Sequence, residues 1–139
     1  IRHSQGRQDE ARNLLLRAIG MFGPAGEKTV LPKARAWMLL AQLHHEAGDN
    51  ASAERAYDSA ELVFGKLVPD SHPERLLSAI RRYRLQCESS RIDFAATEIR
   101  SMRPSLEAGL GNDHPWLVEA DEAAAACTLA GDQVGHQGP

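Results

Sequence analysis

Chemistry-bearing and fold-stapling residues are scarce in this sequence. Two cysteines, Cys87 and Cys127, are all that its 139 residues contain. They are too few for a disulfide framework and are most simply read as thiols in a reducing compartment, so a cytoplasmic protein is expected. Phe, Trp and Tyr together make up 5% of the chain, which argues against a β-sheet core, where aromatic and β-branched side chains are favoured. Charge of one sign is lacking too. The net charge is −3, so no basic excess is available to neutralise phosphates, and nucleic acid is not an expected partner. Nor is a membrane, because no apolar run approaches the roughly 20 residues that a spanning helix needs. The opening Ile1-Arg2-His3 has neither a Met nor a signal-like segment, and a piece of a longer protein is expected from it.

Reactive constellations are equally rare. Six histidines raise the question of a metal. However, H-E-x-x-H is absent, and the adjacent His44 and His45 would point about 100° apart on a helix, which does not suit one shared ion. His44 is expected to pack at a helix interface and His45 to face solvent or a groove. Gly20-x2-Gly23-x2-Gly26-x-Lys28-Thr29 ends like a phosphate loop but lacks the G-x4-G-K-[ST] spacing and a preceding strand, so it is read as a linker. No base accompanies either cysteine, and no nucleophile–base pair is specified. An enzyme is not expected, nor a metal, nor any cofactor.

Hydrophobic residues make up 42% of the chain and charged residues 25%, which is enough apolar material for a packed core. Ala and Leu dominate it, and that mix suits helix-on-helix packing. The organising signal is internal repetition. Ala11, Leu15, Ala18 and Phe22 have the spacing of one helix face. Forty-two residues on stand Ala53, Tyr57, Ala60 and Phe64, and after 42 more come Ala95, Ile99, Met102 and Leu106. Gly6 and Gly48 are also 42 apart, as are His72-Pro73 and His114-Pro115, while Leu31-Pro32 lies one residue off that register.

Proline suits the first turn of a helix, where its missing N–H would be unpaired anyway. First helices are therefore expected over Pro32–Ala47, Pro73–Glu88 and Pro115–Ala130, with Ser71 and Asp113 placed to help cap the last two. Tight turns follow at Gly48-Asp49, Ser89-Ser90 and Gly131-Asp132, and second helices carry the repeated face, the earliest over about 7–22. Leu76, Ile80, Tyr83 and Cys87 form the apolar stripe of the helix opened by Pro73. Pro104 falls inside a second helix and is expected to kink or end it. Cys87 and Cys127 fall on neighbouring first helices at similar heights. Packed helix axes lie about 8–10 Å apart, whereas a disulfide needs Cα atoms about 4.4–6.8 Å apart, so two reduced core residues are expected.

The second unit reads Trp37-x2-Leu40-Ala41-x2-His44, then Gly48, then Ala53-x3-Tyr57-x2-Ala60. It resembles the tetratricopeptide repeat pattern of W-x2-L-G-x2-Y followed by A-x3-F. The 42-residue period and the Asp113-His114-Pro115 element are similar to the longer, kinesin-light-chain type. His44 replaces the usual aromatic, and Arg81 or Arg82 falls where an apolar residue is expected. The resemblance implies an all-α, right-handed α–α superhelix, a solenoid of antiparallel helical hairpins whose first helices line a concave face. It also implies protein–protein interaction, and arrays of this sort often occur in bacteria attached to signalling or regulatory proteins.

The expected layout is an array over 1–132, with a partial unit at about 1–30, units at 31–71 and 72–113 and a capping helix at 114–132, followed by a flexible tail at 133–139. By repeat register the groove positions are Arg35, Met38, Gln42 and His45 on one first helix and Val118, Asp121, Ala125 and Thr128 on another. Arg81, Arg82, Arg84 and Arg91 form a basic cluster. It reads either as a solvated face paired with Glu88, Asp93 or acidic residues of the last helix, or as an anchor for a carboxylate, with Arg84 best placed. The expected partner-binding residues are Arg35, Met38, Gln42, His45, Arg84 and Asp121, and the expected partner is a protein or peptide. The alternative is self-association as a homodimer through the first helix, where Leu14, Leu15 and Ile19 would be partly uncovered.

Overall fold

The computed structural model describes residues 2–21, 30–88 and 92–137. Among these the chain is all-α, with no strand: α1 (Arg2–Met21), α2 (Val30–Glu46), α3 (Asn50–Leu67), α4 (Pro73–Cys87), α5 (Ile92–Leu110) and α6 (Pro115–Gln137). They form two compact units, Ile1–Pro69 and Asp70–Pro139.

In the first unit α2 and α3 form a tight hairpin and α1 packs on α2. The hairpin turn is built from three residues. Gly48 takes a left-handed backbone, φ 82°, which costs little without a Cβ. Its N–H donates to the His45 carbonyl at 3.0 Å and the Asp49 N–H donates to the His44 carbonyl at 2.9 Å, satisfying carbonyls that the end of α2 would otherwise leave open. Asp49 then caps the next helix, its carboxylate accepting from the Ser52 N–H at 3.1 Å. Reversal and restart thus share one residue. The repeated face of α3, Ala53, Tyr57, Ala60 and Phe64, is fully buried. Two of these four are alanines, so the hairpin helices approach closely.

Helix α1 departs from the expected punctuation. It runs unbroken from Arg2, so Gly6 lies within it and the helix begins before the expected start at about residue 7. Gly48 is followed by Asp49, which can cap a new helix. Gly6 is followed by Arg7, which cannot, and a glycine inside a helix costs only about 1 kcal/mol relative to alanine.

In the second unit α4, α5 and α6 all touch one another around one core that includes Leu76, Ile80, Ile99, Leu106, Leu117 and Ala120, with Tyr83 and Met102 packed against it. The α4 stripe and the third copy of the repeated face therefore meet as the sequence pattern expects. Gly109 sits so close to α4 that an added Cβ would lie 3.0 Å from Pro73 Cγ. Helix α5 ends at Gly111, φ 86°, whose N–H donates to the Glu107 carbonyl at 2.8 Å.

Both proline-opened helices of this unit are capped by the histidine before the proline. His72 Nδ1 accepts from the Glu74 N–H at 3.2 Å and His114 Nδ1 from the Trp116 N–H at 3.1 Å. A capping role is what the place of His72 and His114 before the helix-opening prolines leads one to expect, and the imidazoles, rather than Ser71 and Asp113, reach the second helical N–H. The His114 ring also meets Trp116 edge to face, with centroids 4.9 Å apart.

Three expectations in this unit are corrected. Of the two outcomes expected of Pro104, a kink or an end, the end does not occur, since α5 continues to Leu110. Arg100 and Pro104 are both exposed, so the carbonyl that proline deprives of its donor faces the wet side, while Ile99 and Leu106 hold the other side in the core. Helix α6 does not stop at Ala130 but runs through Gly131 and Asp132 to Gln137, so residues 133–137 are helical rather than a tail. The Gly-Asp pair reverses the chain only when an apolar helix follows for it to cap, and Gln133-Val134-Gly135-His136 offers none.

The third correction concerns the cysteines. Cys87 on α4 and Cys127 on α6 form a disulfide, with Cα atoms 5.4 Å apart. Axis separation misleads here. Cα atoms stand about 2.3 Å off a helix axis, so residues facing each other across neighbouring helices come several ångströms nearer than the axes do. Buried alanines at Ala120, Ala123 and Ala124 keep α6 close to its neighbours.

Candidate functional site

The expected binding residues fall in both units, four on α2 and one each on α4 and α6. On α2 the buried side is wide and includes Ala34, Ala36, Leu40 and Ala41. At about 100° per residue these positions leave one outward strip, and Arg35, Leu39, Gln42 and Glu46 occupy it, all exposed. Gln42 donates along the strip to Glu46 at 3.3 Å. Met38 lies off the strip, 6% exposed, and belongs to the core rather than to an open groove. The apolar member of the strip is Leu39, 54% exposed, one position further on. Reading α2 by repeat register missed it. The burial pattern Ala34, Ala41 and Leu40 was the signal that could have found it, since it fixes which side of the helix faces in.

His45 is half-buried at the edge of the strip, and His44 is half-buried beside α1. His44 Nδ1 is enclosed without a hydrogen bond. Burial, and then the positive charge of Arg12, hold this imidazole below the ordinary histidine value; Arg55 acts the same way and Asp49 opposes them. His44 is thus kept neutral, as a packing group standing where the repeat pattern has an aromatic. Among the described residues no cluster of three or more His, Cys, Asp or Glu side chains could hold a metal ion.

On α4 one member of the basic cluster, Arg81, is engaged across the unit. Arg81 forks onto Glu119 of α6, Nε to Oε2 at 2.7 Å and Nη2 to Oε1 at 3.0 Å, which is the two-point geometry that guanidinium and carboxylate share. Arg75 pairs with Asp70 at 2.9 Å. Arg84 is half-buried and makes no ion pair with any described side chain. Arg91 lies outside the described residues.

On α6 Val118, Asp121 and Ala125 form an exposed strip and Thr128 is half-buried. Asp121 is already engaged by Arg103 of α5, Oδ1 accepting from Nε at 2.7 Å and Oδ2 from Nη2 at 3.2 Å, while Arg103 also reaches Glu107 at 2.9 Å. Thr128 accepts from Arg100 and donates to the Ala124 carbonyl. A partner meeting this strip would find Val118 and Ala125 as apolar contacts and a carboxylate held in place by its own salt bridge. No helix is long and apolar enough to cross a membrane among the described residues. No family model matches the chain, and no curated protein matches it.

Proposed function

We propose that the chain is a tetratricopeptide-like array that holds a protein or peptide, as the docking arm of a larger signalling or regulatory protein. The observation that carries the reading is the outward strip of α2, Arg35, Leu39, Gln42 and Glu46, which sets one exposed leucine among polar groups on a helix fixed by its buried side. Such a strip suits an amphipathic helix or an extended segment, with the apolar anchor giving affinity and the polar groups register. The right-handed superhelix with first helices on its concave face belongs to the same reading, as does a bacterial source. No catalytic step, cofactor or metal forms part of it. A reducing cytoplasm does not either, since its premise was two free thiols and Cys87 and Cys127 are joined. The test is capture of partners from the source cells by the wild-type chain and by Leu39→Glu. Loss of the captured set with an unchanged helical spectrum is expected, and an identical set would defeat the choice of α2.

A second reading, self-association through α1, is favoured by Leu14, 63% exposed. Leu15 is half-buried and Ile19 buried, so the exposed apolar residue of α1 that this reading uses is Leu14 rather than Ile19. Light scattering over a dilution series separates the readings, because a mass that stays monomeric at every concentration removes self-association.

A further inference from the structure

We infer that the Cys87–Cys127 bond is a structural lock on the second unit, closed by oxidation as that unit folds and then shielded from exchange, so that the chain matures in an oxidising environment. Four observations carry this. The bond ties α4 to α6 across a separation of 40 residues, joining helices that α5 separates in the chain. Both sulfurs belong to the apolar core, Cys127 being 0% and Cys87 8% exposed. No cysteine remains over to act as an internal resolving thiol. Tyr83, one turn before Cys87, packs against the same core and meets Phe94 of α5 edge to face, with centroids 5.8 Å apart, which adds a covering ring at the α4–α5 side.

Exchange needs a thiolate to approach one sulfur in line with the S–S bond. With Cys127 enclosed and Cys87 nearly so, that approach requires the unit to open first. A regulatory disulfide has the opposite build, exposed and beside a second thiol. Closure is a two-electron step. The two thiols give up two protons and two electrons and form one S–S bond, and an external disulfide, such as oxidised glutathione, takes them and leaves as two thiols. Tying ends 40 residues apart removes unfolded-chain freedom and should favour the folded unit by about several hundredfold in its unfolding equilibrium.

The experiment uses the whole chain and three readouts. Acid quenching of the protein's own cells, followed by alkylation in denaturant, should trap no free thiol, and recovery of two alkylated cysteines would overturn the proposal. Reduction of the purified protein by a small phosphine should be slow in buffer and accelerate steeply in urea; equal rates in both would show an accessible switch instead of a lock. Chemical unfolding of the oxidised protein, the reduced protein and Cys87→Ala/Cys127→Ala should place the oxidised form several hundredfold above the other two. Equal unfolding constants for oxidised and reduced protein would sink the stabilising role, and this comparison holds even if the double variant fails to fold.

Discussion

At the scale of single residues, histidine does two different jobs among the described side chains, capping and packing. His72 and His114 are caps, each accepting through Nδ1 from the N–H two residues on. Replacing His72 with Ala removes an acceptor from the open end of α4 and should lower stability by about 1 kcal/mol. His72→Asn presents an oxygen at a similar reach and should restore most of that loss, so a pair of urea titrations checks the cap. His44 is a different case. Its folded state disfavours the charged form because of burial and Arg12. Above the ordinary histidine range both folded and unfolded chains hold it neutral and pH has no leverage. As pH falls through that range the unfolded chain takes up a proton and the folded one resists, so stability is lost on acidification. Substituting Phe at His44 should flatten this part of the pH dependence of the unfolding midpoint, measured between neutral and mildly acid buffers. An unchanged slope would move the cause elsewhere.

At the scale of elements, the sequence speaks clearly where a side chain repeats and poorly where geometry decides. The faces of α3 and α5 were legible because Ala53, Tyr57, Ala60 and Phe64 recur as Ala95, Ile99, Met102 and Leu106, and packing is what a repeated apolar face does. The turn at Gly48-Asp49 was legible for a similar reason, since glycine and a capping acid each have one job there. Gly6 and Gly131 were misleading because a glycine alone does not end a helix, and Pro104 did not end α5 because local preference is small beside tertiary packing. A glycine or proline signal of about 1–3 kcal/mol is overridden when the next turn of helix buries residues such as Leu106. The outward strip of α2 was half legible. Arg35 and Gln42 were found, but Leu39 was not, because which residue faces out depends on how far α1 and α3 wrap around α2. Helix α5 offers a direct measure of the override. Pro104 is exposed and inside the helix, so Pro104→Ala restores a backbone donor on the solvent side. Stability should rise by about 1–3 kcal/mol, less the extra freedom that alanine gives the unfolded chain. A fall would mean that the proline is preorganising the helix rather than straining it.

At the scale of the whole molecule, the division into Ile1–Pro69 and Asp70–Pro139 separates two kinds of lability. The first unit holds the neutral His44 and no cysteine; the second holds the only cross-link. Each has its own buried side chains, Phe64 and Ala41 in one, Ile80 and Ile99 in the other. A cross-link stabilises by restricting the unfolded ensemble of the segment it closes, here the chain between Cys87 and Cys127. Its removal should therefore raise opening rates inside that segment and leave a unit with a separate core nearly unchanged. Hydrogen exchange on oxidised and fully reduced protein tests this residue by residue. Amides of α5 and of the first part of α6 should exchange about a hundredfold faster or more after reduction, while those of α2 and α3 keep their protection. Uniform acceleration across both segments would show that the chain unfolds as one cooperative body, and that the bond stabilises all of it.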